Sequence, residues 1–219
     1  MRAPSSISVR RIARDDGGTA VVEFAMGMPL LLIAILGGLE VANMALAHQQ
    51  VNGIAKMVAD TSARGRATMD ESVVQELFLG AKDSNARLDF GNRGRIILSS
   101  VSNNAASNGQ WIIWQRCTGR LNSTSKYGAQ DKGKSDGTLP TIGGKNVDGS
   151  QTVTGIAAPP ANAIMFVEVE YTYKPLISSK FLGTPKIRSE ATFVVRERNS
   201  YGITNTANRT VAACTAFNA

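Results

Sequence analysis

Two sets of residues in this 219-residue sequence are placed to do chemistry. The first is Gly17-Gly18-Thr19-Ala20-Val21-Val22-Glu23-Phe24, where a glycine pair marks the change from a polar, basic segment to an apolar one. A carboxylate follows Gly18 by five residues, with an aromatic ring beside it. An acid so close to an apolar core costs several kcal/mol of desolvation unless it is paired, which makes Glu23 a functional candidate by default. The bland reading is an acid resting at lipid headgroup level, as acids near helix ends do. The second set is Cys117 and Cys214, 97 positions apart, with no CxxC and no histidine beside either. That spacing argues against a metal site. In an exported chain it reads as a disulfide, worth about 3 to 4 kcal/mol for so long a loop in the chain-entropy model. Two unrelated buried thiols fit the same spacing.

Other reactive residue types form no constellation. His48 is the single histidine and has no cysteine or serine nucleophile near it in sequence. Asp131, Asp136 and Asp148 have neighbouring glycines, as calcium loops do, but lack the bidentate terminal glutamate such loops need. Phosphate loops and dinucleotide motifs are absent from the sequence. The expectation is a protein that is not an enzyme, with no cofactor and no metal. The net charge of +7 comes from 24 basic and 17 acidic residues scattered singly, and aromatics make up 6%. A nucleic-acid binder would cluster its cations with exposed aromatics, so that partner class is not expected.

The element that must carry Glu23 is a membrane span. Across residues 19–47 only Glu23 and Glu40 interrupt an apolar stretch whose centre reads FAMGMPLLLIAILGGL. A spanning helix needs about 20 apolar residues, and 29 at about 1.5 Å each reach roughly 43 Å. Arg2, Arg10, Arg11 and Arg14 precede it, which puts the N-terminus in the cytoplasm and the following head outside it by the positive-inside rule. A secretory signal would have a shorter apolar core with its small-residue cleavage site after it. Here the small-residue site comes before the core. Pro29 is expected to bend the helix, and Gly27, Gly37 and Gly38 permit close helix approach.

The string G-x-x-x-x-E-F followed by MPLLLIAILGG resembles the class III leader of type IV pilins, and specifically the TadE-like minor pilins of tight-adherence (Tad/Flp) pilus systems. The resemblance runs from Arg10 to about Arg64 and returns in EVEYTYKPLI and ATFVVRER. It implies a leader over residues 1–18 and cleavage between Gly18 and Thr19 by an aspartic membrane peptidase. Thr19 then becomes the N-terminus, and Glu23 and Phe24 the positions governing subunit register and assembly. The new cationic amine on a neighbouring Thr19 is a partner that lets Glu23 stay charged in low dielectric. The implied partners are the prepilin peptidase, other Tad pilins and pseudopilins, an inner-membrane assembly platform with its ATPase motor, and the membrane itself. The implied location is the bacterial inner membrane, with the head periplasmic and later extracellular in a pilus. Major Flp pilins are far shorter. The competing readings are a permanently tethered periplasmic binding or adhesin domain, and a membrane-attached hydrolase, for which no clustered site is legible.

Beyond the span, Ala47, Val51, Ile54 and Val58 recur at helical spacing, which predicts an amphipathic stalk over residues 48–66. Residues 67–219 read as an α+β head, type IV pilin-like, with an antiparallel sheet of about four strands packed on helix. Thr68 with Glu71 three residues on has capping-box spacing before Val73, Val74, Leu77, Phe78 and Ala81. Strands are predicted over 95–101, 110–117, 164–173 and 187–196, with Glu168, Glu170, Arg188 and Glu190 on a solvent face. Trp111 and Trp114 fall on opposite strand faces by parity. Residues 118–160, with eight glycines, read as a surface insertion too polar for core, either a contact loop or a mobile decoration.

Overall fold

The computed structural model describes residues 16–65, 67–103, 109–143, 154–177, 179, 183–198 and 200–218. Arg2, Arg10, Arg11, Arg14, Asp148 and most of the expected leader lie outside the described residues. The chain divides into two compact units, one ending at Asn43 and one beginning at Met44. The first contains the N-terminal part of α1 (Asp16–Arg64), a helix rich in Ala, Leu and Met, with Pro29 inside it. Helix continues past Pro29, whose missing N–H leaves the Ala25 carbonyl without its usual donor. Gly18–Arg64 is long and apolar enough to cross a membrane.

In the second unit the rest of α1 lays a stripe of Ala47, Val51, Ile54, Ala55, Val58, Ala59 and Ala63 into the core. The small residues among them let the helix lie close against its neighbours. β1 (Met69–Asp70) leads into α2 (Glu71–Asp83), which buries Val74, Phe78 and Ala81. The expected capping box is replaced: Asp70, not Thr68, is the N-cap, and its carboxylate accepts from the Ser72 backbone N–H at 3.0 Å. Met69 and Asp70 are held extended by parallel pairing with β6 (Ile203–Thr204), so the helix cannot begin earlier. Glu71, freed from capping, turns inward. A 3₁₀ turn (Ala86–Leu88) and the short α3 (Phe90–Arg93) then lead into the sheet.

The sheet is antiparallel throughout in the order β3-β2-β4-β5, from β2 (Gly94–Asn103), β3 (Gln110–Thr118), β4 (Ala163–Thr172) and β5 (Lys186–Val194). One face, with Ile96, Leu98, Trp114, Met165, Val167, Val169 and Ile187, packs with the α1 and α2 residues in one core. Simple parity fails for the tryptophans. A bulge opposite Ser100 and Val101 pairs Ser100 with Trp114 and Val101 with Ile112, so Ile113 is the extra residue and Trp111, opposite Ser102, regains the parity of Trp114. Trp114 is core, whereas Trp111 stays half-buried with Lys134 over its ring.

The second face is not the expected solvent face. Tyr127, Ile142 and Ala158 of the glycine-rich insertion are buried there against Val101, Ile112, Ile164 and Phe166 in a core of their own. The insertion therefore closes a third layer over the sheet in addition to forming surface. It also occupies the β3 edge: Ile112 N–H donates to Lys132 and the Asp131 N–H to Ile112. Gly133 makes that approach possible, since a Cβ there would stand 2.1 Å from the Gln110 carbonyl oxygen. Farther along the same edge, the C-terminal tail takes the N–H groups of Cys117 and Gly119 on Ala212 and Asn218.

Candidate functional site

Thr19 and Glu23 are four residues apart in α1 and so share one helix face, with Gly18 one residue before. Glu23 is exposed and Phe24 is 68% exposed, as are apolar side chains on every side of the helix, Val21, Met26, Leu30 and Ile33 among them. A helix apolar all round requires an apolar environment, lipid or other helices, to cover it. Glu40, the other acid of this stretch, is buried. The Gly18-Thr19 bond lies two residues inside the helix start at Asp16. Glycine costs about 1 kcal/mol relative to alanine in a helix, so the Gly17-Gly18 pair makes this first turn the easiest to unwind. A Cβ at Gly18 would meet nothing within 4 Å, so packing in this structure does not demand glycine there.

In the head, the structure brings Cys117 and Cys214 together as a disulfide with Cα atoms 4.7 Å apart. Around it lies a residue that motif reading missed. Arg95 is almost fully buried and donates to the carbonyls of Gly119, Ala216 and Cys214 at 2.7 to 2.8 Å, with Phe217 against its guanidinium. Burial lowers its pKa, and its charge is spent on carbonyls that fix the tail. A lone arginine opening a strand carried no sequence signal for this, since its partners are backbone carbonyls, one 24 residues away and two more than a hundred residues away.

Other polar groups of the head bond one another. Glu71 accepts from Arg116 Nε at 2.7 Å in the helix-side core. On the other face Glu168 is 4% exposed and accepts from Ser125, from the Lys126 N–H and from Arg188, while burial raises its pKa against those bonds. Tyr127 donates to Glu190, and Ser123 donates to Glu170. Asp131 pairs with Lys134, and Asp136 accepts from Thr138. His48 is exposed on α1. Among the described residues no group of three or more His, Cys, Asp or Glu side chains is arranged to hold a metal ion.

Residues 18–60 match the family model described as TadE-like protein. The match begins at Gly18, takes in Thr19, Glu23 and Phe24, and ends in the buried stripe of α1. It relates this helix to Tad pilus proteins. No curated protein and no solved structure matches the chain.

Proposed function

We propose, from the TadE-like N-terminal helix joined to an α+β head, that this chain is a minor pilin or pseudopilin that helps assemble or initiate a Tad-type pilus. The observation that carries the reading is Glu23, an exposed acid at the start of the apolar stretch of α1, five residues after Gly18. A prepilin peptidase cuts between Gly18 and Thr19, the span holds the subunit in the inner membrane with its head in the periplasm, and assembly draws the helix into a bundle of others like it. There the Thr19 amine of one subunit neutralises Glu23 of the next, which fixes axial register. Phe24 and the exposed apolar side chains supply the packing surface. The role is structural rather than catalytic, and the partners are the peptidase, other Tad pilins, the assembly platform and the membrane.

The test is the N-terminal residue of the membrane-extracted protein, by intact mass and peptide mapping, in cells with and without their prepilin peptidase. Peptidase-dependent appearance of Thr19 as the terminus is expected. An uncut leader in both strains sinks the prepilin reading and leaves a permanent tether. With processing established, Glu23→Ala is expected to be cut normally yet to be lost from sheared pili.

A further inference from the structure

We infer that the outer face of the α1–α2 layer docks on the same face of a second copy, α1 of each chain against α2 of the other; this rests on the pilin reading above, which brings copies side by side. Both helices lie on one face of the sheet. Ser189 of β5 donates to the Asn52 side chain and the Arg196 N–H to the Ala63 carbonyl, so this part of α1 runs beside β5 and in its direction. At the β3 side, Glu71 opens α2 on the Arg116 guanidinium, in the row of Leu98, Val167 and Ala191. The chain beyond α2 reaches the row of Ile187, where Tyr171 donates to the Leu88 carbonyl. The two helices therefore run in opposite directions past the same rows of the sheet.

Turned away from the core, α1 presents Lys56 and Met57, and α2 presents Val73, Glu76, Leu79 and Asp83, all of them exposed. The apolar ones are open to a large extent: Met57 is 39%, Val73 46% and Leu79 54% exposed. Farther along α1, Asp60 and Arg64 neutralise each other at 2.6 Å. Lys56, Glu76 and Asp83 have no partner among the described residues. The layer is thus positive along α1 and negative along α2. Two copies of it can face each other about a two-fold axis lying across the helices or along them. Across, α1 covers α1 and Lys56 meets its like. Along, α1 covers α2 twice, opposite charges meet, and the two stalks run the same way, as in subunits of one fibre. That rotation keeps each residue's height on the sheet. Four residues put Lys56 about 6 Å past the row of Ser189, and five put Glu76 about 7.5 Å back from the row of Ala191. Those rows are about 7 Å apart, so Lys56 and Glu76 differ in height by roughly 6 Å, within reach of two long side chains, and Met57 and Val73 by roughly 4 Å. An exposed pair contributes little alone, but copies gathered in one fibre meet at high effective concentration, which lets a weak contact hold.

Two full chains are co-expressed with their prepilin peptidase, one carrying Met57→Cys and the other Val73→Cys, so that each has one free thiol beside its native disulfide. Membranes are oxidised with copper phenanthroline, and linked peptides and N-terminal residues are read by mass spectrometry from the same sample. A link between positions 57 and 73 several-fold more abundant than 57 to 57 or 73 to 73 is expected. Lys56→Glu in the first chain should reduce it several-fold, and Glu76→Lys added in the second should restore it. Links in statistical proportion, or a mixed link indifferent to both charge changes, overturn the inference. Thr19 as the terminus without the mixed link overturns it and leaves the pilin reading standing. An uncut leader overturns the pilin reading and the inference that rests on it.

Discussion

Replacing Arg116 with leucine should be among the most damaging single changes in the head, because of what it strands. The side chains of Arg116 and Glu71 are 10% and 2% exposed. Both guanidinium contacts, from Nε and Nη2, go to the same oxygen, Oε1, while Oε2 has no hydrogen-bond partner among the described residues. Glu71 therefore depends on this one cation for the stability of its charge. Breaking a buried pair from one side costs about 3 to 5 kcal/mol, because the remaining ion is left desolvated without compensation. For a domain of this size each kcal/mol moves the midpoint by roughly 2 to 4 °C, so Arg116→Leu should lower Tm by about 10 °C. Thermal unfolding of the detergent-solubilised full chain can be followed by tryptophan fluorescence, since Trp114 is buried with its indole N–H on the Tyr201 carbonyl. The decisive comparison is the double variant Glu71→Leu/Arg116→Leu. Two apolar residues there remove the desolvation cost together with the attraction, and the double variant should return to within about 1 kcal/mol of the parent. A single variant that shifts Tm by only a degree or two, or a double variant as unstable as the single one, would refute the account of a stranded charge.

Three further outcomes are expected. Cys214→Ser should destabilise the head by about 4 kcal/mol and make the tail after Thr210 susceptible to protease, read by limited digestion against the parent; unchanged digestion would mean that Arg95 alone holds the tail. Gly119→Ala should cost upwards of about 2 kcal/mol in a urea titration, because a Cβ there falls 2.2 Å from the Gly94 carbonyl oxygen and φ is +104°. Burial first, and then the hydrogen bond to the Glu190 carboxylate, raise the Tyr127 pKa above its ordinary value. The stability this contributes is present in full below the unfolded phenol pKa of about 10 and is lost as pH rises through the folded value. The urea-midpoint gap between the parent and Tyr127→Phe should accordingly narrow above that pH, and a gap independent of pH would contradict it.

What could be read from the sequence followed how local the information was. The body of α1 and all four long strands are legible because a continuous apolar run and a period of two are written into neighbouring residues, and because the stripe at Ala47, Val51, Ile54 and Val58 repeats every turn; the helix itself starts earlier than the expected span, at Asp16. The glycine and the acid of the N-terminal segment are a sequence reading whose role rests on the proposed function, since the structure places them on one exposed stretch of α1 and adds no contact that assigns them a task. The start of α2 was misread because Met69 and Asp70 are drawn into a strand by Ile203 and Thr204, 134 positions away. A bulge, which adds one residue without any distinctive residue type, reversed the tryptophan parity.

The glycine-rich insertion departs most from its sequence reading, a surface insertion too polar for core, since it buries Tyr127, Ile142 and Ala158. That reading holds for an apolar face. The face in question carries Glu168, Glu170 and Glu190, of which Glu168 is buried; Arg188 and Lys186 of β5 pair with them, and an apolar cover would supply no hydrogen bonds to the carboxylate oxygens these cations leave over. Ser123, Ser125, the Lys126 N–H and the Tyr127 hydroxyl supply such bonds, from one extended segment to alternate residues of β4 and to β5. Only where the face turns apolar, at Val101, Ile112, Ile164 and Phe166, does the cover turn apolar with it, through the Tyr127 ring, Ile142 and Ala158. Hydropathy therefore misassigns such a segment for a physical reason: a polar strand in the middle of a fold and a polar loop over it satisfy each other, and each taken alone looks like surface.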